Sequence, residues 1–364
     1  MSLYPQWTEP IWHWPNLLLL ALEELVAHVI NSTVDRSYKK FNLTQNALRR
    51  RLNFFKHSAK IKSSPVILAR PIYFLKSLLL ALLFLTYHSS YAFSGQKENL
   101  SRGQYLFNAA GCAGCHTDVK NKGPLLAGGR ALDTPFGKYF GPNITPDKTY
   151  GIGRWSKKDF IRALRKGVSP EGSHYFPVFP YTSFTKMTDR DILDLRAYIF
   201  SLEPIAKPNI PHQINFPFMF RKLIYIWKTL FFDESTFKLK LGETDEWNRG
   251  AYLTEALVHC GECHTPRNLL GAADRSKTMA GTSEGPNGDS VPNITPDLKT
   301  GIGNWSQKEV IEVLKIGILP DGDFVGGAMT EVTDNTANLT DSDLHAIAKF
   351  LSSLPAIKNK VTVK

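Results

Sequence analysis

Cysteine is scarce. The 364 residues contain four, all within two short strings, "CAGCHT" at 112–117 and "CGECHT" at 260–265. So small a supply excludes a disulfide-stapled scaffold and leaves no spare thiol for a separate nucleophile. Methionine is also rare, with only Met187, Met219, Met279 and Met329 after Met1. Acidic groups are thin at one end: residues 1–92 hold 11 Lys+Arg against 4 Asp+Glu, so +7 of the net +11 falls in the first quarter. The larger remainder has no Lys/Arg stripe with interleaved aromatics, which argues against a nucleic-acid partner. With 43% hydrophobic residues the chain can bury cores for two or three domains, and wholesale disorder is excluded.

The basic first quarter contains Arg70 and Lys76, an apolar run from Leu78 to Thr86, and then small Ser90 and Ala92. That order reads as a secretory signal, and the run is much shorter than the roughly 18 residues of a spanning helix. Residues 66–92 are therefore expected to be a signal peptide, with an uncleaved anchor as the alternative. About 65 residues precede the signal, more than its function needs. They read as a non-native extension or a cytoplasmic tail, and "NLLLLALEELVAHVI" within them carries Glu23 and Glu24, unlike a second span.

Beyond residue 92 one unit is written twice. "RGQYL" at 102 returns as "RGAYL" at 249, and "PNITPD" at 142 as the same string at 292. "GIGRWS" at 151 matches "GIGNWS" at 301, and "TDRDILDLRAYIFSL" at 188 matches "TDSDLHAIAKFLSSL" at 340. A period this long is domain duplication, with each copy large enough to close its own core. The capping boxes "SKKD" and "SQKE" predict helices at 157–166 and 307–316, and "TDRD" and "TDSD" predict one more per copy. Helices are also expected at 102–110 and 249–257, each running into a cysteine string, with Gly/Pro-rich loops after the cysteines. The expected fold is mostly α, with a first domain at 93–203, a linker at 204–245 and a second domain at 246–364.

The linker opens Pro-rich and becomes aromatic and basic, with Arg221, Lys222 and Lys228 among Phe216, Phe218, Phe220, Tyr225, Trp227, Phe231 and Phe232. Such a segment suits a membrane surface or a partner groove. The reading preferred here is that its aromatics fill the cleft between the domains.

Two cysteines at i and i+3 can hold zinc, form a redox pair or attach haem, and the residue after the second separates these. Here that residue is His116 or His264, giving Cys-x-x-Cys-His, the attachment sequence of c-type haem. Thiols one helical turn apart can add to the two vinyl groups, and the next residue offers its imidazole to the iron. Two covalently bound haem c groups are expected, one on Cys112 and Cys115 with axial His116, the other on Cys260 and Cys263 with axial His264. For the sixth ligand, Met329 in the Gly-rich "GGAMTEV" is the candidate in the second copy. In the first copy the position nearest Met329 is around Phe179, which cannot ligate. Met187 is the preferred candidate there, with His174 or a five-coordinate iron as alternatives. Trp155 and Trp305 could shield a haem edge, with simple packing at least as apt. The Asn-Ile-Thr strings match glycosylation sequons but read as turn chemistry.

Through "RGQYLFNAAGCAGCHT", "GPNITPDKTYGIGRWS", "FPYTSFTKMTDRDI", "EWNRGAYLTEALVHCGECHTPRN" and "VPNITPDLKTGIGNWS", residues 98–356 resemble the cytochrome c subunits of membrane-bound bacterial dehydrogenases acting on alcohols, gluconate or nicotinate-like substrates. The resemblance implies two tandem class I cytochrome c domains, a periplasmic location and membrane association. It further implies redox partners, namely a dehydrogenase subunit and the quinone pool or another cytochrome, and the "KMTD" methionine is similar to one in that family, in favour of Met187. Only two attachment strings occur where those subunits usually have three. The expected role is single-electron transfer, the protein itself being more a carrier than a catalyst. The alternatives are a di-haem enzyme of peroxidase or thiosulfate-oxidising type, or a terminal-oxidase cytochrome subunit.

Overall fold

A computed structural model describes residues 99–285 and 288–362, all within one compact unit. The expectations for residues 1–65 and 66–92 lie outside the described residues. Among the described residues no helix is long and apolar enough to cross a membrane.

The repeated strings become matching elements. Residues 99–109 are helical (α1) and lead into the single turn α2, Cys112–His116. Helix α3, Lys157–Lys166, begins where its sequence predicts: the Ser156 side chain accepts from the Asp159 amide while Asp159 accepts from the Ser156 amide. It ends at Gly167, whose φ of 56° lies in the left-handed region that glycine adopts without penalty. The short α4, Tyr181–Phe184, and α5, Asp189–Ser201, complete the first copy, and Thr188 caps α5 by accepting from Asp191 N–H. After the linker helix α6, Lys222–Phe231, the series repeats as α7, Asp245–Tyr252, and α8, Gly261–His264. It closes with α9, Gln307–Ile316, α10, Ala328–Thr336, and α11, Asp341–Ser352.

Three departures from expectation have local causes. The helix foreseen at 249–257 starts earlier, because Thr244 caps it on Trp247 N–H, and its last turn widens to a π turn over Leu253–Leu257. The second copy has one more residue than the first between its Arg-Gly string and its first cysteine, and a π turn is how a helix absorbs a single insertion. Second, the stretch after the first cysteine string is not all loop. It holds β1, Ala131–Thr134, and β2, Gly137–Phe140, paired antiparallel with Ala131 opposite Phe140, and β2 pairs in turn with β3, Gln213–Ile214, from the linker. Third, the linker aromatics do not all enter a cleft. Ile224 packs on Tyr139 and Phe176 of the first copy, and the Trp227 indole donates to the Leu270 carbonyl of the second at 2.9 Å. Phe216, Phe220 and Tyr225 remain exposed, Phe216 at 77%. Lys228 anchors α6: its buried ammonium donates to the carbonyls of Lys166 and Gly167 at the C-terminal end of α3.

The two copies do not close separate cores. A single apolar cluster runs from Leu106, Phe107 and Leu195 of the first through Tyr252, Leu257, Leu344 and Leu351 of the second. Within each copy the glycine of the Arg-Gly string lets two helices touch. A Cβ on Gly103 would sit 2.2 Å from the Asp194 carbonyl oxygen, and one on Gly250 1.9 Å from that of Ala346. Between copies the string's tyrosine is exchanged. Arg102 pairs with Asp191 and Asp194 of its own copy, and Tyr252 from the other copy donates its hydroxyl to Asp191. In mirror fashion Arg249 pairs with Asp343 at 2.6 Å, and Tyr105 donates to Asp343. Burial works to raise the Asp343 pKa, but the hydrogen bonds from Arg249 and Tyr105 outweigh it and hold the carboxyl below its usual range. Buried carboxylates matched in this way tie the copies into one body.

Candidate functional site

Each cysteine string is a single helical turn entered through a left-handed residue, Gly111 with φ 61° in the first copy and His259 with φ 47° in the second. The turn brings Cys112 and Cys115, and likewise Cys260 and Cys263, to one face, and all four thiols are free. Burial pushes the Cys112 thiol up to about 12, Cys260 to about 12 and Cys263 to about 11, and raises Cys115 as well. A redox Cys-x-x-Cys pair needs a depressed pKa, so this environment argues against dithiol exchange.

The histidines are prepared more specifically. His116 Nδ1 lies 2.7 Å from the Pro142 carbonyl oxygen and His264 Nδ1 lies 2.8 Å from that of Pro292. A carbonyl can only accept, so Nδ1 carries the proton in both rings and the Nε2 lone pair is left for a metal. Burial lowers both imidazole pKa values, which keeps the rings neutral as a ligand requires. The "PNITPD" string is what holds those carbonyls. Asn143 and Asn293, each 2% exposed, accept from the amides and hydroxyls of Thr145 and Thr295, and they donate to the carbonyls of Ile205 and Ile357. These asparagines are internal struts, which bears out turn chemistry over glycosylation. Next to them the chain passes so close that a Cβ on Gly141 would meet the Cys115 carbonyl oxygen at 1.8 Å. A thiol pair one turn apart and an imidazole with its outer nitrogen already bonded together suit covalent haem and an iron ligand.

The methionines separate into three kinds. Met219 is exposed on the linker. Met279, 3% exposed, has φ 64° and takes the place of Leu126, φ 59°: each donates its amide to the threonine after the histidine, Thr265 or Thr117, at 3.1 Å. Its sulfur lies 3.8 Å from where a Cβ on Gly261 would stand, beside the cysteine turn. Met329 is half-buried at the start of α10, packed against the shared core. Met187, 0% exposed, lies in the core just before the α5 cap. Trp155 and Trp305 also pack half-buried on that core.

Sequence reasoning missed how the strings interlock. Glu262, between Cys260 and Cys263, accepts from Thr182 at 2.6 Å and Ser183 at 2.7 Å, both in α4 of the first copy, and from Arg267. Glu331 of α10 pairs with Arg130 of the first copy at 2.7 Å and approaches Gly114 between Cys112 and Cys115. The His259 ring, just before Cys260, packs edge-on against Phe184 of the first copy, with centroids 5.5 Å apart. Each attachment turn therefore leans on the other copy, and only the paired sequence spacing hinted at this.

A mostly helical frame with Cys-x-x-Cys-His turns and carbonyl-oriented histidines defines a cytochrome of the c type, and residues 100–203 match the family model described as Cytochrome c. The chain is 43% identical over 272 residues, 73% of its length and 89% of the relative's, to "Diheme cytochrome c-type" of Cereibacter sphaeroides. It is 38% identical over 265 residues to "Fructose dehydrogenase cytochrome subunit" of Gluconobacter japonicus, covering 72% of this chain and 54% of that one. It is 37% identical over 276 residues to "Gluconate 2-dehydrogenase cytochrome c subunit" of Pantoea cypripedii, covering 72% and 61%. The chain thus spans nearly all of the first relative and little more than half of the two dehydrogenase subunits. It belongs to the cytochrome c family, whose members bind haem covalently and transfer electrons.

Proposed function

We propose that the two copies are tandem class I cytochrome c domains, each carrying one haem c, and that together they pass single electrons in the periplasm from a dehydrogenase to the respiratory chain. The observation that carries this reading is the duplicated site: two Cys-x-x-Cys-His turns, each with its histidine Nδ1 bonded to a proline carbonyl. Haem supplies the one-electron chemistry when bound. Cys112, Cys115, Cys260 and Cys263 would form the thioether tethers. His116 and His264 would present Nε2 to the irons, with Pro142 and Pro292 fixing the ring orientation. Met329 would complete the second iron's coordination, since a thioether opposite histidine favours electron transfer.

The interlocked strings bear on transfer between the copies. Glu262 on α4 and Glu331 on Arg130 tie each attachment region to the other copy, so that an electron would not have to wait for domain motion. A dehydrogenase donor is favoured by the names of the relatives, two of which are cytochrome subunits of dehydrogenases. The exposed linker segment that leads into α6, with Phe216, Phe220 and Arg221, together with Lys222 and Leu230 of α6, is the surface best suited to a membrane or a partner.

The test is to recover a C-terminally tagged protein from gently solubilised membranes and identify what accompanies it. A dehydrogenase in stoichiometric amount, whose substrate reduces the haem absorbance, is the expected result. Recovery of the chain alone, with haem that no dehydrogenase substrate reduces in membrane extract, would overturn the assignment of donor.

A further inference from the structure

Backbone hydrogen bonds fix which residue of the first copy stands where Met329 stands in the second. After α3, Tyr175 N–H donates to the Gly167 carbonyl at 2.8 Å; after α9, Val325 N–H donates to Gly317 at 2.9 Å. The turns inside these bonds also match, with Ser169 N–H on the Ser173 carbonyl and Leu319 N–H on Asp323, and with bridges Val168 to His174 and Ile318 to Phe324. Four residues past each anchor the chain reaches Phe179 in one copy and Met329 in the other. Both are half-buried against the shared core.

A second anchor fixes Met187. Its amide donates to the Phe184 carbonyl at 3.0 Å and the following Thr188 caps α5; the Leu339 amide donates to Thr336 at 2.9 Å and the following Thr340 caps α11. Met187 is thus the counterpart of Leu339, a residue that cannot ligate. It is sealed at 0% exposure beside the 5% of Leu339, and its carbonyl accepts from Arg165 at 2.7 Å. Met187 thus packs in the core where Leu339 packs in the second copy, whereas Met329 is half-buried at the start of α10. His174 is turned toward the linker: its ring lies 5.7 Å from that of Tyr225, and its carbonyl is held by Arg221. Phe179 itself has no lone pair and is clamped by rings, with centroids 5.7 Å from Tyr175, 5.8 Å from Phe184 and 6.3 Å from Tyr181.

We propose that the first copy, with Phe179 where the second has Met329, leaves a coordination position of its iron free for a small neutral diatomic ligand of the carbon monoxide or nitric oxide class. The inference rests on the reading of both copies as haem domains. The walls are predominantly aromatic carbon, which favours a small neutral ligand over a buried anion. The second copy, closed by Met329, would serve transfer alone. One chain would then combine a closed electron carrier with a ligand-sensitive one.

The test uses the reduced holoprotein equilibrated with carbon monoxide, after the covalent haem has been counted in denaturant. Two haems per chain are expected, with the absorbance of half of them shifted by the gas. Phe179→Met should abolish the shift and double the sulfur-to-iron charge-transfer band of the oxidised protein. Met187→Leu, which copies the residue found at Leu339, should leave both signals unchanged. Two haems with no response to carbon monoxide, or a charge-transfer band halved in Met187→Leu, would overturn the inference while leaving the haem reading intact. Absence of covalent haem would take both down.

Discussion

The two copies differ where they enter the cysteine turn and at the position held by Phe179 in one and Met329 in the other, and agree closely where they hold the histidine. In the first copy Gly111 takes the left-handed conformation; in the second His259 does, after a π turn that absorbs one extra residue. A side chain there costs about 1–2 kcal/mol, which Gly111 avoids, and the edge contact of the His259 ring with Phe184 offsets part of it. The "PNITPD" turn is by contrast identical in sequence and nearly identical in its bonds. The turn that orients the imidazole is the same in both copies, while the approach to the cysteines and the position held by Phe179 or Met329 differ, and under the proposal above that difference would set the two haem sites apart.

The largest break in this comparison comes from the cysteines. Replacing Cys112 and Cys115 together by Ala, or Cys260 and Cys263, should each lower the covalent haem from two per chain to one, checked by haem absorbance after denaturation. Next come the exchanged tyrosine contacts. Asp191→Ala leaves the Tyr252 hydroxyl without its acceptor and Arg102 with Asp194 alone, and should cost about 1–3 kcal/mol, with Tyr252→Phe costing no more than that, both read from denaturant unfolding. Gly103→Ala and Gly250→Ala should each cost about 1–3 kcal/mol or more, because the clash is with backbone and not with a movable side chain.

A smaller effect depends on pH. The Asp343 carboxyl, facing Arg249 and Tyr105, has its pKa depressed in the fold. Its contribution is present above the ordinary carboxylate pKa of about 4 and is lost as pH falls through the folded value. Asp343→Asn should therefore flatten the decline in thermal stability on acidification, and an unchanged slope would separate this carboxylate from acid sensitivity. The smallest change is His259→Gly, which imports the residue of the first copy. It relieves the left-handed strain and deletes the ring contact with Phe184, so stability should move by no more than about 1 kcal/mol.

Much of this was legible in the sequence because the chain states it twice. The capping boxes at Ser156 and Ser306 located helices to the residue, and Cys-x-x-Cys-His named the attachment chemistry through spacing alone. What was not legible is non-local. Nothing in "PNITPD" says that its proline carbonyl reaches a histidine 26 residues earlier, and nothing in "RGAYL" says that its tyrosine crosses to the other copy. The β1–β2 hairpin was hidden by Gly and Pro at its edges, and its third strand comes from a linker far along the chain. The expectation of separate cores failed because the faces of α5 and α11 that look amphipathic in isolation also serve the neighbouring copy.

The most direct measurement of the central claim is the count of covalently attached haem on the purified protein, by intact mass together with absorbance after denaturation. The account predicts two haems per chain, one lost with each cysteine pair. A chain of unmodified mass, or one whose haem separates on denaturation, would contradict it.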